Sequence, residues 1–167
     1  MINLYLSLGS NQGDRAANIK EALNRLDRSF GVKYERLSDI IETESWGFDA
    51  EPFLNCAVLY KLPRTKQSAE NQALDILNKV KVIEREMGRE ESLEYAADGS
   101  RIYHSRPIDI DILFFGSHKI DLPVLKIPHP FIAERDFVKI PLAQIANTSL
   151  KNAFPALKLL LLQSTKN

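Results

Sequence analysis

Residues 4–14, Leu-Tyr-Leu-Ser-Leu-Gly-Ser-Asn-Gln-Gly-Asp, decide how the fold begins. The three leucines alternate with other residues, and this period of two predicts a strand with the leucines on one face. The glycine, serine, asparagine and aspartate that follow are typical of a turn. Beyond the turn, apolar residues recur at helical spacing and predict an amphipathic helix that ends at a glycine; they are Ile19, Leu23, Leu26 and Phe30, followed by Gly31.

The same two periods continue along the chain. Residues 32–43 and 53–62 are predicted strands, Ser68 is placed to cap a second helix, and residues 108–115 form a predicted fourth strand. This order is that of a ferredoxin-like α+β fold, in which two helices pack on one face of an antiparallel sheet. We therefore expect a ferredoxin-like βαββαβ core, with the C-terminal third of the chain added at the edge of the sheet.

Length and composition narrow the class of protein. The 167 residues suit one domain, and we expect residues 1–167 to form it. Lysine plus arginine equals aspartate plus glutamate at 22 each, so nothing supports charge-driven binding to nucleic acid or an anionic membrane. The only cysteine, Cys56, lies in an apolar run, which predicts a buried thiol and excludes a disulfide framework. No stretch approaches the roughly 20 apolar residues of a membrane span, and a cytoplasmic protein is expected.

Asp109 and Asp111 are the strongest candidates for chemistry. Because strand residues alternate, both carboxylates should share one face, roughly 6.6 Å apart along the strand. We expect that face to continue as Leu113 and Phe115, which would leave it partly buried. Two like charges there are costly, whereas Mg²⁺ and a polyphosphate would stabilise the pair. The alternative is an edge strand with a solvated polar face, since Asp-x-Asp is a common pattern.

A long polar stretch, residues 89–105, lies between the second helix and the fourth strand, and we refer to it as the lid segment. Its length predicts a functional lid or a disordered segment. Arg89 opens it and Arg106 follows it, while His129 and Arg135 come later around a proline-flanked turn. Guanidinium groups suit phosphoryl oxygens because they donate in a planar fork. Solvated arginines and a structural histidine are the alternatives.

Two further segments have features of a ligand site. Phe53 and Asn55 share one face of a predicted strand, so they could stack on and pair with a flat heterocycle; ordinary core packing is the alternative. The turn at residues 9–14 is placed like a phosphate nest but lacks the lysine of a Walker P-loop, and we interpret it as determining local shape. A small-molecule sensor, an RNA-binding module and a metal-dependent nucleotidyl- or glycosyltransferase remain alternative functions.

Four segments occur in an order that resembles the 6-hydroxymethyl-7,8-dihydropterin pyrophosphokinase family. They are residues 9–14, 53–55, 106–113 and 128–137, and the third, Arg-Pro-Ile-Asp-Ile-Asp-Ile-Leu, is the most specific. Together they span nearly the whole chain. The resemblance implies magnesium-dependent transfer of pyrophosphate from ATP to the hydroxymethyl group of the pterin. The products would be AMP and the pterin diphosphate used in folate synthesis.

The resemblance also implies roles for individual residues. Asp109 and Asp111 would bind two Mg²⁺ ions, with Asp109 near the reacting hydroxyl. Arg89 and Arg106 would brace the phosphates as catalytic residues, and no dedicated general base is evident. A monomer that acts on these small molecules is expected. The implied pterin-binding residues are Thr43, Phe53, Asn55 and Phe137, with the phenylalanines on either side of the ring; the implied ATP-binding residues are Glu84, Arg89, Ile112, His129 and Arg135.

The chain departs from the family pattern near two loops. In the lid segment, Glu91 stands where basic residues are common and Tyr103 where tryptophan is common, while Arg101 is placed to substitute for a missing arginine. Glu44 and Trp46 replace smaller or apolar neighbours of the residue expected to contact the pterin, Thr43. These departures concern how the loops close, whereas the aspartate pair and its surroundings match the family.

Overall fold

The computed structural model describes residues 1–45, 50–90, 94–102 and 104–164. Trp46, Glu91 and Tyr103, for which the sequence raised expectations, lie outside the described residues. The helices and strands follow one another as β1 (Ile2–Ser10), α1 (Arg15–Phe30), β2 (Arg36–Leu37), β3 (Ile41–Thr43), β4 (Phe53–Leu62), α2 (Ala69–Glu86), β5 (Glu94–Tyr95), β6 (Arg101–Ile102), β7 (Asp109–Phe115), β8 (Ile120–Leu122), β9 (Leu125–Ile127), α3 (Asp136–Ile145), α4 (Thr148–Ala153) and α5 (Pro155–Ser164).

The main sheet has the predicted ferredoxin-like topology. Within the described ranges, five strands pair antiparallel in the order β2-β4-β1-β7, and β3 also pairs with β4. Strand β1 is central and α1 and α2 lie on one face, which confirms the predicted core. Two small hairpins, β5–β6 and β8–β9, lie outside this sheet. The first of them belongs to the lid segment.

The predicted strand over residues 32–43 is interrupted, which corrects the expectation of one continuous strand. Between β2 and β3 the register against β4 shifts by one residue. At this point the Ser38 N–H donates to the Ala57 carbonyl, and the Ser38 hydroxyl accepts from the Ala57 N–H at 2.8 Å. The serine side chain thus replaces a main-chain acceptor, and two short strands result.

One face of the sheet packs against α1 and α2. Asp14 and Ser68 cap these helices by accepting hydrogen bonds from main-chain N–H groups, and Gly31 ends α1 with a φ of 70°. Cys56 is buried in the same core, as expected. Burying each leucine or isoleucine is worth roughly 1.5–3 kcal/mol, so this face contributes much of the stability. Its central members are Leu4, Leu6, Leu8, Ile19, Leu26, Val58, Ile76, Val80, Ile83, Ile110 and Ile112.

The C-terminal third covers the opposite face of the sheet, so the expectation that it lies at the sheet edge is wrong. Tyr5, Leu59 and Phe114 point away from α1 and α2 and pack with the C-terminal helices. The reason is that the central strands are apolar on both faces, and an apolar face must be buried. The C-terminal helices contribute Val138, Leu142, Ile145, Leu150, Leu157 and Leu161 to this core.

No helix in the described part of the chain is long and apolar enough to span a membrane.

A bulge in β7 decides which side chains share a face with the two aspartates. The pairing with β1 omits Leu113, which is the additional residue of the bulge. Side chains beyond it therefore change faces. Leu113 and Phe114 lie on the face of Asp109 and Asp111, whereas Phe115 lies in the core beneath α1 and α2. The expectation for Leu113 is confirmed, and that for Phe115 is wrong because local alternation does not reveal a bulge.

Candidate active site

A pocket opens on the second face of the sheet, beyond the part that the C-terminal helices cover. The space between its lining side chains, including the mouth that is open to solvent, is about 530 Å³. Strand β1 ends at the pocket and β4 and β7 begin there, because both are antiparallel to β1. The lining residues are Ser7, Gly9, Thr43, Glu44, Phe53, Asn55, Arg106, Asp109, Asp111, Arg135 and Phe137.

Asp109 and Asp111 lie at the charged end of the pocket, and arginines contact both. Arg89 Nη1 is 2.7 Å and Arg106 Nη1 is 3.2 Å from Asp109 Oδ1. Arg135 Nη1 is 3.3 Å from Asp111 Oδ2. Burial, followed by the negative charge of Asp109, raises the pKa of Asp111 to about 7. The predicted shared, partly buried face is confirmed, and an ordinary solvated strand face is excluded.

Glu84 supports this cluster from α2. Its side chain is buried, accepts a hydrogen bond from the Ile110 N–H at 2.7 Å and forms an ion pair with Arg89. Burial raises the pKa of Glu84 to about 7, against the opposing influence of the Arg89 charge. The Arg89 nitrogen that contacts Glu84 also contacts Asp109. Glu84 therefore orients the arginine towards the aspartate pair.

His129 is held in a defined orientation beside the aspartates. Its main-chain N–H donates to the Leu113 carbonyl at 3.0 Å, and its ring Nδ1 accepts a hydrogen bond from the Phe131 main-chain N–H at 3.1 Å. Burial, followed by the positive charge of Arg135, lowers the pKa of His129 to about 4, so the ring is neutral at pH 7. The ring proton is therefore on Nε2, which lies 3.8 Å from Asp111 Oδ2.

The other end of the pocket carries aromatic and amide side chains. Asn55 is buried, and its Nδ2 donates to the Thr43 hydroxyl at 2.7 Å, which fixes the orientation of the amide. Gly9 lies against it: a Cβ at Gly9 would be 2.9 Å from Asn55 Oδ1 and 3.3 Å from Phe53 Cδ1. Phe137 lines the same pocket. This end is shaped for a flat ring with an amide at its edge.

The aspartate pair has the chemistry of a magnesium site that is completed by a substrate. Among the described residues, no group of three or more His, Cys, Asp and Glu side chains could hold a metal ion alone. Mg²⁺ commonly takes one or two carboxylates and completes its shell with water and substrate phosphates. Asp109 and Asp111 therefore suit an ion that binds together with a polyphosphate.

Comparison with known proteins identifies the family of this chain. The family model for 7,8-dihydro-6-hydroxymethylpterin-pyrophosphokinase (HPPK) matches residues 5–147. The chain belongs to the HPPK family. It is 41% identical over 148 residues to the 2-amino-4-hydroxy-6-hydroxymethyldihydropteridine pyrophosphokinase of Porphyromonas gingivalis, a match that covers 87% of this chain and 92% of that protein.

Longer proteins also contain the HPPK sequence or fold. The chain is 42% identical over 146 residues to a folate synthesis bifunctional protein of Arabidopsis thaliana, covering 87% of this chain and 27% of that protein. A crystal structure of an HPPK-DHPS in complex with substrates has a TM-score of 0.57 at 13% identity, over 93% of this chain and 43% of that chain. At this identity, the match to the HPPK-DHPS structure shows the fold alone. The chain is thus an enzyme of folate synthesis that transfers pyrophosphate to hydroxymethyldihydropterin, with ATP as co-substrate.

Ile112 takes a position in this HPPK that restricts how it can act. Its side chain is buried in the core beneath α1 and α2. The Ile110 N–H points outwards from β7 to Glu84, and residues two apart on a strand direct their main-chain groups to the same edge. The N–H and C=O of Ile112 therefore point to the outer edge of β7. Any contact of Ile112 with ATP is made by its main chain.

Three lining residues of the HPPK pocket were not among the predicted site residues: Ser7, Gly9 and Glu44. A signal for the first two was present, because they alternate with the leucines of β1 and so lie on the opposite face. Glu44 directly follows Thr43 but carries no motif of its own. In the lid segment, Arg101 lies in the β5–β6 hairpin and is exposed.

Proposed function

We propose that the charged end of the pocket binds ATP with two Mg²⁺ ions and that the aromatic end binds the pterin. The observation that carries this proposal is the position of the aspartate pair. Asp109 and Asp111 line the same pocket as Phe53 and Asn55 while also contacting the surrounding arginines. A phosphate chain held at the aspartates would therefore lie beside a ring held at the aromatic end, as transfer between the two substrates requires.

Asn55 and Thr43 are proposed to recognise the edge of the pterin. Because Asn55 Nδ2 donates to Thr43, the amide is oriented and its Oδ1 is placed to accept a hydrogen bond from a ring N–H. Phe53 and Phe137 would stack on the two faces of the ring. The carboxylate of Glu44, which lines the same end, would accept a hydrogen bond from the ring amino group.

The proposed ATP contacts surround the other end of the pocket. The neutral His129 presents an Nε2–H donor and Arg135 a guanidinium group towards the position of the phosphates. The main chain of Ile112 is available to the adenine at the outer edge of β7. Glu84, at the same edge, would hold Arg89 in place while the arginine contacts the phosphates.

The proposed mechanism relies on positioning and electrostatics. The pterin hydroxyl, held near Asp109, attacks the β-phosphorus of ATP in line with the departing AMP. Magnesium at the aspartate pair would supply charge neutralisation for the phosphate oxygens. Arg89, held by Glu84, and Arg106 both contact Asp109, and they would stabilise the charge that develops on the phosphates during transfer.

Product identification tests this assignment. The protein is incubated with ATP, Mg²⁺ and 6-hydroxymethyl-7,8-dihydropterin, and the nucleotide product is identified for the wild type and for Asp109→Ala. We expect AMP only when the pterin is present, and no turnover by a folded Asp109→Ala variant. Asp121→Ala is the matched control, because Asp121 is an exposed aspartate of β8. Full activity of a folded Asp109→Ala variant would contradict the proposed site.

Other expectations from the sequence also stay proposals. We propose one domain over residues 1–167, a monomer and a cytoplasmic location, with no nucleic acid or membrane as a partner. Sedimentation velocity at micromolar concentration checks the monomer, and a dimer at that concentration would contradict it.

A further inference from the structure

Asn11 lies just beyond β1 and holds the main chain of Arg106 from two sides. It is only 2% exposed. Its main-chain N–H donates to the Arg106 carbonyl at 3.2 Å, and its side-chain Oδ1 accepts from the Arg106 N–H at 2.8 Å. The guanidinium group of Arg106 lines the pocket and lies 3.2 Å from Asp109. Asn11 thus fixes the main chain from which this arginine reaches the aspartate.

The amide nitrogen of Asn11 connects the same point to a second segment. Its Nδ2 donates to the Glu51 carbonyl at 3.2 Å and to the Ser105 hydroxyl at 3.3 Å. Glu51 precedes Phe53 by two residues, and Phe53 lines the aromatic end of the pocket. One buried side chain therefore links the segment that carries Arg106 with the segment that leads to Phe53.

We propose that Asn11 is a positioning residue for the transfer reaction. It does not line the pocket, so it would act through Arg106 at the charged end and through the segment before Phe53 at the aromatic end. An amide suits this task because it offers an acceptor for one N–H and donors for a carbonyl and a hydroxyl. The inference rests on the catalytic role proposed above for Arg106.

A purely structural role in the turn after β1 is the competing explanation, and Asn18 provides the matched control. Asn18 Nδ2 donates to the Gln12 carbonyl at 2.8 Å and to the Ser10 hydroxyl at 3.3 Å. It therefore makes side-chain hydrogen bonds to the same turn, yet these bonds reach neither Arg106 nor Glu51. Loss of the Asn18 amide should disturb the turn without disturbing the two segments at the pocket.

The test measures kcat and KM for Asn11→Ala, Asn18→Ala, Arg106→Ala and the double variant Asn11→Ala with Arg106→Ala. We expect Asn11→Ala to lower kcat about 10- to 100-fold, since misplacement by about 1 Å can cost that much. Asn18→Ala should lower kcat less than about threefold. In the Arg106→Ala background, Asn11→Ala should lower kcat little further, because the group that Asn11 positions is already absent.

A second variant separates the two links that Asn11 makes, and thermal melts show whether this variant and Asn11→Ala fold. Asn11→Asp keeps the acceptor for the Arg106 N–H but loses the donor to Glu51. It should keep kcat within about fivefold of the wild type and raise KM for the pterin. Equal effects of Asn11→Ala and Asn18→Ala, or additive losses in the double variant, would overturn the inference. An unchanged kcat in Arg106→Ala would instead overturn the role proposed for Arg106.

Discussion

The two faces of the sheet use the same strands differently. On the face beneath α1 and α2, β1 contributes leucines that are fully buried. On the other face, Tyr5 packs with the C-terminal helices, whereas Ser7 and Gly9 line the pocket. The first face is packed along its whole length, and the second is packed only up to the edge of the pocket. The two aspartates that we propose as metal ligands thus lie on a strand of the sheet, where the cover of the C-terminal helices ends.

The two faces also differ in charge. The face beneath α1 and α2, which we call the closed face, holds apolar side chains, with Glu84 at its margin towards β7. The face that carries the pocket, which we call the open face, brings Asp109 and Asp111 together, and burial raises the pKa of Asp111 to about 7. Placing these two carboxylates together therefore lowers the stability of the folded protein, and a bound cation would offset that loss. Substitutions on the two faces should accordingly affect different quantities.

Asp111→Ala should give the largest effect on activity and a small effect on stability. The change removes a proposed metal ligand, and we expect kcat to fall about 10³-fold or more. Because Asp111 lies beside Asp109, its loss should leave the magnesium-free Tm within a few degrees of the wild type. Initial rates of AMP formation and thermal melts check both statements. A variant that keeps full kcat would remove Asp111 from the metal site.

Leu6→Ala should have the converse effect on the closed face. Leu6 is fully buried, and truncation of such a core leucine costs about 3 kcal/mol of the free energy of unfolding. We expect a Tm lower by roughly 10 °C, with kcat of the folded protein almost unchanged. Leu159→Ala, at an exposed position of α5, is the control. A kcat that falls as far as in Asp111→Ala would show that the two faces are not separable.

The closed face could be predicted from the sequence more completely than the open one. The end of α1 follows from apolar side chains at helical spacing, because one face of this helix is buried in the core, whereas β4 follows from an apolar run that is buried on both faces. Residues 32–43 and Phe115 were predicted wrongly, because a single additional residue in a ladder reverses the alternation. Pairing with another strand decides where such a residue lies, and no local pattern records that pairing.

The site residues likewise divide into those that a local sequence pattern predicts and those that only the tertiary fold brings together. The shared face of Asp109 and Asp111 follows from alternation within one strand. The approach of His129 and Arg135 does not, because they come from the turn after β9, and only the tertiary fold brings that turn to β7. Gly9 was predicted only as part of a turn that determines local shape, and not as a residue of the site. Its importance lies in the absence of a side chain beside Asn55, which becomes visible only when both strands are paired.

Gly9→Ala should therefore weaken pterin binding with little effect on ATP. A methyl group at Gly9 would lie 2.9 Å from Asn55 Oδ1 and would displace the amide. We expect KM for the pterin to rise about tenfold and KM for ATP to change less than about twofold, as for loss of one oriented hydrogen bond. In an Asn55→Ala background, where the obstructed amide is absent, Gly9→Ala should add little. Additive losses would show that Gly9 acts elsewhere.

Glu84→Gln should give the smallest effect on stability, which appears as a change in how stability depends on pH. The pKa of Glu84 is about 7 in the folded protein and near 4.5 for a free side chain. Between these values the folded state binds a proton that the unfolded state lacks, so stability falls as the pH rises through this window. Glutamine cannot ionise but keeps an oxygen that can accept from the Ile110 N–H.

Between pH 5 and pH 8, in magnesium-free buffer, the wild-type Tm should therefore fall by roughly 5 °C more than that of Glu84→Gln. Groups that do not interact with Glu84 contribute equally to the two curves, so the difference between them reports Glu84 together with its influence on Asp111. Parallel curves would contradict a raised pKa and place the charge of Glu84 in the folded protein throughout this range. In that case the Glu84–Arg89 ion pair would be fully charged throughout this range.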